Sequence, residues 1–174
     1  MKVEDQNISI KICFSIISIM KQYIQNGLFS LEAGGILIGK ENISNNDLIV
    51  KYLTVPYKKD KRKHCRFLRQ DNQHIRFFEK IYNEHDEVYR YIGEWHTHDE
   101  NIPMYSKMDL NNWKKIYKDA PEDINHYHII VGRKAFRIWK VNNYFDKPQI
   151  VKTIYWEDVK LNSKQNKKFY KENS

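Results

Sequence analysis

His96 and His98, in Gly93-Glu94-Trp95-His96-Thr97-His98, and Asp109, eleven residues after the second histidine, are side chains that together can hold a metal ion. The preceding run of Val88, Tyr89, Tyr91 and Ile92 is β-branched and aromatic, so a strand is expected to end at His96. Residues two apart on a strand share a face. His96 and His98 then aim at one point, and Asp109 can supply a third ligand if the chain turns back after Pro103. Two histidines and one carboxylate, with the fourth position left to water, make a catalytic zinc arrangement. The same residues also have a plainer reading: two histidines on a polar strand face, followed by an ordinary helix start. Ser106-x-x-Asp109 ahead of Leu110 and Trp113 is a capping box with Ser106 as N-cap. Spacing alone leaves both readings open.

A second segment lies far upstream, Leu31-Glu32-Ala33-Gly34-Gly35-Ile36-Leu37-Ile38-Gly39. Together the two resemble the signature of the JAMM metalloprotease family (the JAB or MPN-plus domain). That signature is a Glu just before a Gly-Gly-apolar strand, then His-x-His, seven residues and Ser-x-x-Asp. Gly-Glu-Trp-His-Thr-His looks like its bacterial branch, and the resemblance spans roughly residues 8–156. It implies a single α/β domain with a curved mixed β-sheet flanked by helices. It also implies one Zn²⁺ per chain on His96, His98 and Asp109, with Glu32 as the general base on water that the metal activates. Ser106 Oγ would then be the donor to the oxyanion. The activity implied is that of a zinc-dependent isopeptidase or peptidase cleaving after the C-terminal tail of a ubiquitin-like or otherwise conjugated protein. Bacterial proteins of this type resemble accessory proteases encoded beside ubiquitin-activating-like and ubiquitin-conjugating-like enzymes in antiphage operons, which makes such enzymes candidate partners. One departure is Asp99, where the family usually has Pro; Pro103 is expected to take over the turn. Two other function classes fit parts of the chain: a catalytically silent MPN-like scaffold, although such scaffolds generally lose a ligand, and a nucleic-acid-associated module using the basic segments.

Other residues compete for the same chemistry. Glu94 shares a strand face with His96 and His98 and is a rival base, or else a partner that orients one of the histidines. His126-x-His128 is a second histidine pair without an acidic residue at a comparable spacing, and is expected to be a strand face. His64-Cys65 is a weaker signal still. Trp95 and Trp113 are expected in the core, with a peptide-lining role as the alternative.

The pattern around these groups fits one domain over residues 1–159, followed by a basic tail over 160–174 that is expected to be disordered. The chain has 174 residues, two cysteines and a formal charge of +8. Cys13 and Cys65 are ordinary for a reducing compartment and neither belongs to a Cys-x-x-Cys pair, and no apolar run reaches the length of a membrane span, so a soluble cytoplasmic protein is expected. Much of the positive charge sits in Tyr57 to Arg69 and in the tail. It raises nucleic acid as a partner, although solvated surface is the simpler expectation. The hydrophobic pattern predicts a strand at Ile8, Ile10, Ile12 and Phe14, then a helix from an N-cap at Ser15 to Asn26-Gly27. Strands follow over Ala33–Lys40 and Leu48–Val55. A helix from near Asp71 is expected to face inward at Ile75, Phe78, Ile81 and Tyr82. After the strand to His96 comes a helix from Ser106 with Leu110, Trp113, Ile116 and Tyr117 inside, closed by Ala120 to Asp123. Strands over Tyr127–Val131, Phe136–Val141 and Ile150–Trp156 complete the chain.

Overall fold

Alternating apolar residues at Ile8, Ile10 and Ile12 form a strand, and the switch to helical spacing at Ile16, Ile17 and Met20 turns the next segment into a helix that buries all three. The structure, a computed structural model, describes residues 1–5, 8–42, 44–45, 47–120, 124–142 and 147–159. The expected basic tail and the Pro121 to Asp123 stop signal lie outside them.

In chain order the elements are β1 (Lys2–Asp5), β2 (Ile8–Ile12), α1 (Phe14–Gln22), β3 (Gly34–Glu41), β4 (Leu48–Leu53), β5 (Lys61–Lys63), β6 (Arg66–Leu68), α2 (Gln73–Glu84), β7 (Arg90–Thr97), α3 (Lys107–Lys118), β8 (His126–Val131), β9 (Ala135–Val141) and β10 (Gln149–Tyr155), with a final 3-10 turn over Trp156–Asp158. Eight strands form one sheet in the order β1-β2-β4-β3-β7-β8-β9-β10, and β5-β6 is a separate hairpin. The β2–β4 and β7–β8 pairs are parallel and the remaining neighbours antiparallel, so the sheet is mixed. It curls until the edge strands β1 and β10 approach one another.

Both faces of the sheet are covered. Leu37 and Ile129 pack on the α1 side. Their neighbours point the other way: Ile36 and Ile38 join Ile81 of α2, and Ile130 joins Trp113 and Tyr117 of α3. Burial of this kind contributes roughly 1.5–3 kcal/mol for each large apolar side chain. Among the described residues, no helix is long and apolar enough to cross a membrane.

Several boundaries differ from the sequence expectations. The N-cap of α1 is Cys13, not Ser15, and the helix stops at Gln22, short of Asn26-Gly27. The inner face of α2 is rotated: Ile75 is 51 % exposed while His74 is fully buried, because the imidazole finds hydrogen-bond partners that a hydrocarbon would not. The segment after Tyr57, which has no periodicity, folds into the β5–β6 hairpin.

Candidate active site

Strand β7, the connection after it, α3 and β8 form a β-α-β crossover, and the functional side chains collect where β7 ends and α3 begins. This is the carboxyl end of a parallel strand pair, the common place for a site in a sheet with crossover connections. His96 is in the last turn of the ladder, paired with Gly34 of β3 and Ile130 of β8. His98 lies one residue past the strand, but its N–H still bonds Val131 O at 2.9 Å, which keeps it on the face of His96. Asp109 is the third residue of α3. Its Oδ2 accepts the Ser106 N–H at 2.6 Å while Ser106 Oγ accepts the Asp109 N–H at 3.1 Å, the capping box expected from the sequence.

The three side chains converge. His96 Nε2 lies 3.0 Å from His98 Nε2 and 3.3 Å from Asp109 Oδ1, and His98 Nε2 lies 3.4 Å from Asp109 Oδ2. Ligand atoms about 2.0–2.1 Å from a tetrahedral ion are about 3.3 Å apart, so the triangle fits zinc in both donor type and size. Among the described residues this is the one group of three or more histidine, cysteine or acidic side chains arranged to hold an ion. Burial raises the Asp109 carboxyl pKa, but the two imidazoles and the Ser106 N–H outweigh it and hold the group well below the usual carboxylate range. It is therefore ionised, as a ligand must be.

Glu32 completes the group. Its carboxylate is buried, with Oε1 3.9 Å from His98 Nε2. Burial lifts its pKa above the ordinary value, opposed by the two histidines and by a hydrogen bond from the Phe67 backbone. Two devices fix its position. Thr97, between the histidines, accepts the Ala33 N–H on its hydroxyl at 3.0 Å and donates its own N–H to Ala33 O at 2.9 Å. On the other side, the β5–β6 hairpin grips the backbone: Glu32 N–H bonds Lys63 O at 2.9 Å, Arg62 Nε donates to Glu32 O at 2.7 Å, and Arg62 Nη2 donates to Leu31 O at 3.0 Å. Behind the site, Trp95 Nε1 donates to Thr54 O, and Thr54 Oγ1 is 2.5 Å from His74 Nδ1, whose Nε2 reaches Asp60 at the hairpin root. Gly35 allows this approach, since a Cβ there would lie 2.1 Å from Thr54 O. Thr97, Arg62 and Thr54 are positioning residues without a sequence signal, because their partners are distant in the chain.

Over these groups lies a cleft of about 470 Å³, walled by hairpin residues 64–69 on one side and by Met108, Asn112 and Ile116 of α3 on the other. Glu32, His96, His98, Asp109 and Ser106 all line it, so all five expected positions share one cavity. A family model described as prokaryotic homologs of the JAB domain matches residues 23–142. The chain belongs to that family. Proteins named CD-NTase/cGAS isopeptidase are similar to it. The one from Pseudomonas aeruginosa is 29 % identical over 124 residues, covering 71 % of this chain and 77 % of its own. The one from Vibrio cholerae is 29 % identical over 125 residues, covering 72 % and 77 %. The one from Escherichia coli is 27 % identical over 139 residues, covering 79 % and 85 %. The solution structure of protein DSY2949 from Desulfitobacterium hafniense shares the fold, with a TM-score of 0.54 at 12 % identity over 80 % of this chain and 89 % of that one.

Within this JAB domain the rival groups have other partners. Glu94 lines the cleft, but Arg69 Nε holds its Oε1 at 3.1 Å and Asn112 Nδ2 its Oε2 at 3.0 Å, so its carboxylate supports neither histidine. Only its N–H meets an imidazole, that of His128, at 3.1 Å. His126 and His128 are buried strand residues, as expected. His128 stacks on Trp113 with centroids 4.5 Å apart, and burial pushes His126 down to about 4. Trp95 and Trp113 are each 1 % exposed, core residues that also floor the cleft. Asp99, where the family usually has Pro, pairs with Arg133 at 2.6 Å and lies 3.7 Å from His64 Nε2, so the residue braces the loop against the hairpin. The basic segment is only partly the solvated surface expected of it: Arg62 and Arg69 point inward.

Proposed function

We propose that this chain is a zinc-dependent isopeptidase, holding Zn²⁺ on His96, His98 and Asp109. It hydrolyses the bond joining the C-terminal tail of a ubiquitin-like or otherwise conjugated protein to an amine. The names of its relatives favour a CD-NTase/cGAS-type protein as the conjugated partner. Enzymes resembling ubiquitin-activating and ubiquitin-conjugating enzymes would build the bond that it removes. The observation that carries this reading is a buried carboxylate, Glu32, fixed beside the three-ligand triangle.

Zinc bound there would polarise the scissile carbonyl and activate water for attack. Glu32 takes the proton of the attacking water on a carboxylate oxygen and returns it to the leaving amine as the C–N bond breaks. A carboxyl raised by burial suits both halves of that transfer. Ser106 Oγ spends a lone pair on the Asp109 N–H and keeps its own hydrogen, so it can donate to the oxygen that gains charge. The cleft between hairpin and α3 accommodates an extended tail, and glycine at the tail's end would let its backbone pass close to the triangle.

The test is cleavage rate and zinc content for Glu32→Gln and Glu94→Gln, with His96→Ala, His98→Ala and Asp109→Ala as metal controls. Glu32→Gln should lose roughly a hundredfold or more in turnover with its zinc in place, the scale of a lost acid-base catalyst. Glu94→Gln should lose much less and also keep its zinc, because its carboxylate engages Arg69 and Asn112. The three ligand variants should lose zinc and activity together. A near wild-type rate in Glu32→Gln alongside an inactive, zinc-loaded Glu94→Gln would overturn the assignment of the base.

A further inference from the structure

Immediately before Glu32, three apolar side chains face water: Phe29 is 97 % exposed, Leu28 80 % and Leu31 45 %. The loop that carries them is pinned to the protein. Gly27, at φ +98°, makes a turn closed by Ser30 N–H on Gly27 O at 3.1 Å, and Ser30 Oγ bonds the same carbonyl. Ser30 O faces His64 Nδ1 at 3.0 Å and Leu31 O takes the Arg62 guanidinium, so the apolar tip is tied to the hairpin wall of the cleft. On that wall Lys61, Lys63 and Arg66 are exposed, while Asp60 is turned inward onto His74.

We infer that Leu28, Phe29 and Leu31, with Lys61, Lys63 and Arg66, form the docking surface for the folded body of the conjugate, an acidic protein domain with an exposed apolar patch. The inference rests on the isopeptidase reading above. Continuity with the cleft supports it: Phe29 lies three residues from Glu32 and its loop is tied to the hairpin that walls the cleft, so a domain whose tail runs along that wall would rest against this rim. The charge selects the partner. A rim of one sign favours an acidic surface, and a second copy of this chain, with a formal charge of +8, would press two basic hairpins together. An apolar centre within a charged rim is the usual layout of a protein interface.

The test uses the full chain and two probes: a CD-NTase joined through its C-terminal tail to a lysine of a carrier protein, and a fluorogenic peptide of the same last tail residues. The Leu28→Ser, Phe29→Ser double variant should raise KM for the conjugate about tenfold or more, the effect of truncating interface anchors. Its kcat, peptide cleavage and zinc content should equal those of the wild type. Lys61→Glu with Lys63→Glu should raise the same KM at low salt, with the effect fading as salt is added. An unchanged conjugate KM in the double serine variant, with both probes still cleaved, overturns the docking surface and leaves the isopeptidase reading intact. Should the wild type cleave neither probe, binding of the intact conjugate by fluorescence anisotropy decides: weakening by Phe29→Ser keeps the surface while the isopeptidase reading fails, and equal binding overturns both. Dimerisation of the wild type, or its capture by phosphatidylglycerol vesicles, that Phe29→Ser abolishes would assign the patch to another occupant and overturn the inference.

Discussion

On the proposed mechanism, with Glu32 as the base, Arg62→Ala separates positioning from chemistry. The guanidinium spans two consecutive carbonyls, with Nε 2.7 Å from Glu32 O and Nη2 3.0 Å from Leu31 O. A hydrogen bond to a charged group contributes about 1.5–3 kcal/mol when buried, and about 1 kcal/mol is reasonable for each of these partly exposed ones. Together they amount to about 2 kcal/mol, and if all of it holds Glu32 in its working place, kcat falls roughly thirtyfold. The Glu32 N–H on Lys63 O and the two Ala33 bonds to Thr97 remain, so a tenfold to thirtyfold loss (roughly) is the expected outcome. Zinc content should not change, because Arg62 touches none of the three ligands, and the melting temperature should move little for a hairpin outside the main sheet. Arg62→Lys should recover only part of the rate, since an ammonium does not reproduce the planar fork that reaches two carbonyls. Lys61→Ala, one residue away and exposed, is the control. The assay is single-turnover cleavage of a short tail peptide alongside zinc analysis and thermal melting. A wild-type kcat in Arg62→Ala, or a rate loss that follows zinc loss, would rule out a positioning role for Arg62.

Two further predictions concern the supports of the site. Asp60→Ala removes an acceptor for Tyr57, Gln70 and Asp71 N–H and for His74 Nε2, and should destabilise the fold by on the order of 3 kcal/mol in a denaturant titration. The same pair gives a pH dependence. Burial lowers the His74 pKa, and the hydrogen bonds to Asp60 outweigh its own burial and lower the carboxyl pKa. In each case the unfolded chain binds more protons, so stability should fall with acid below about 6.5 for His74 and again below about 3.8 for Asp60, most visibly in urea melts. Ser106→Gly should cost a few tenths of a kcal/mol as a helix cap but about a hundredfold in turnover as an oxyanion donor, and that small stability loss with unchanged turnover would leave Ser106 as a cap alone.

Features that depend on neighbours along the chain were legible in the amino-acid order. Ser106 and Asp109 cap α3 reciprocally because both partners lie within one helical turn. His96 and His98 share a face because a strand alternates, and Glu32 stands two residues ahead of β3 because the residues after it are apolar or glycine. Where local pattern and tertiary demand differ, the local signal misleads: Ile75 has the hydrophobicity for the core of α2, yet His74 occupies it, because Asp60 and Thr54 satisfy both ring nitrogens. The β5–β6 hairpin shows why the rest was hidden. Each of its strands has three residues without an apolar alternation, so its form comes from Asp60 at its root and from the Leu31–Glu32 backbone, contacts between residues far apart in sequence. The same distance conceals the pairing of Glu94 with Arg69 and Asn112, and the grip of Thr97 on Ala33. Residue types and spacing specify which groups can do chemistry, whereas the fold alone decides which carboxylate is neutralised by a guanidinium and which is held beside the triangle of His96, His98 and Asp109, because that choice depends on partners brought together only when the sheet closes.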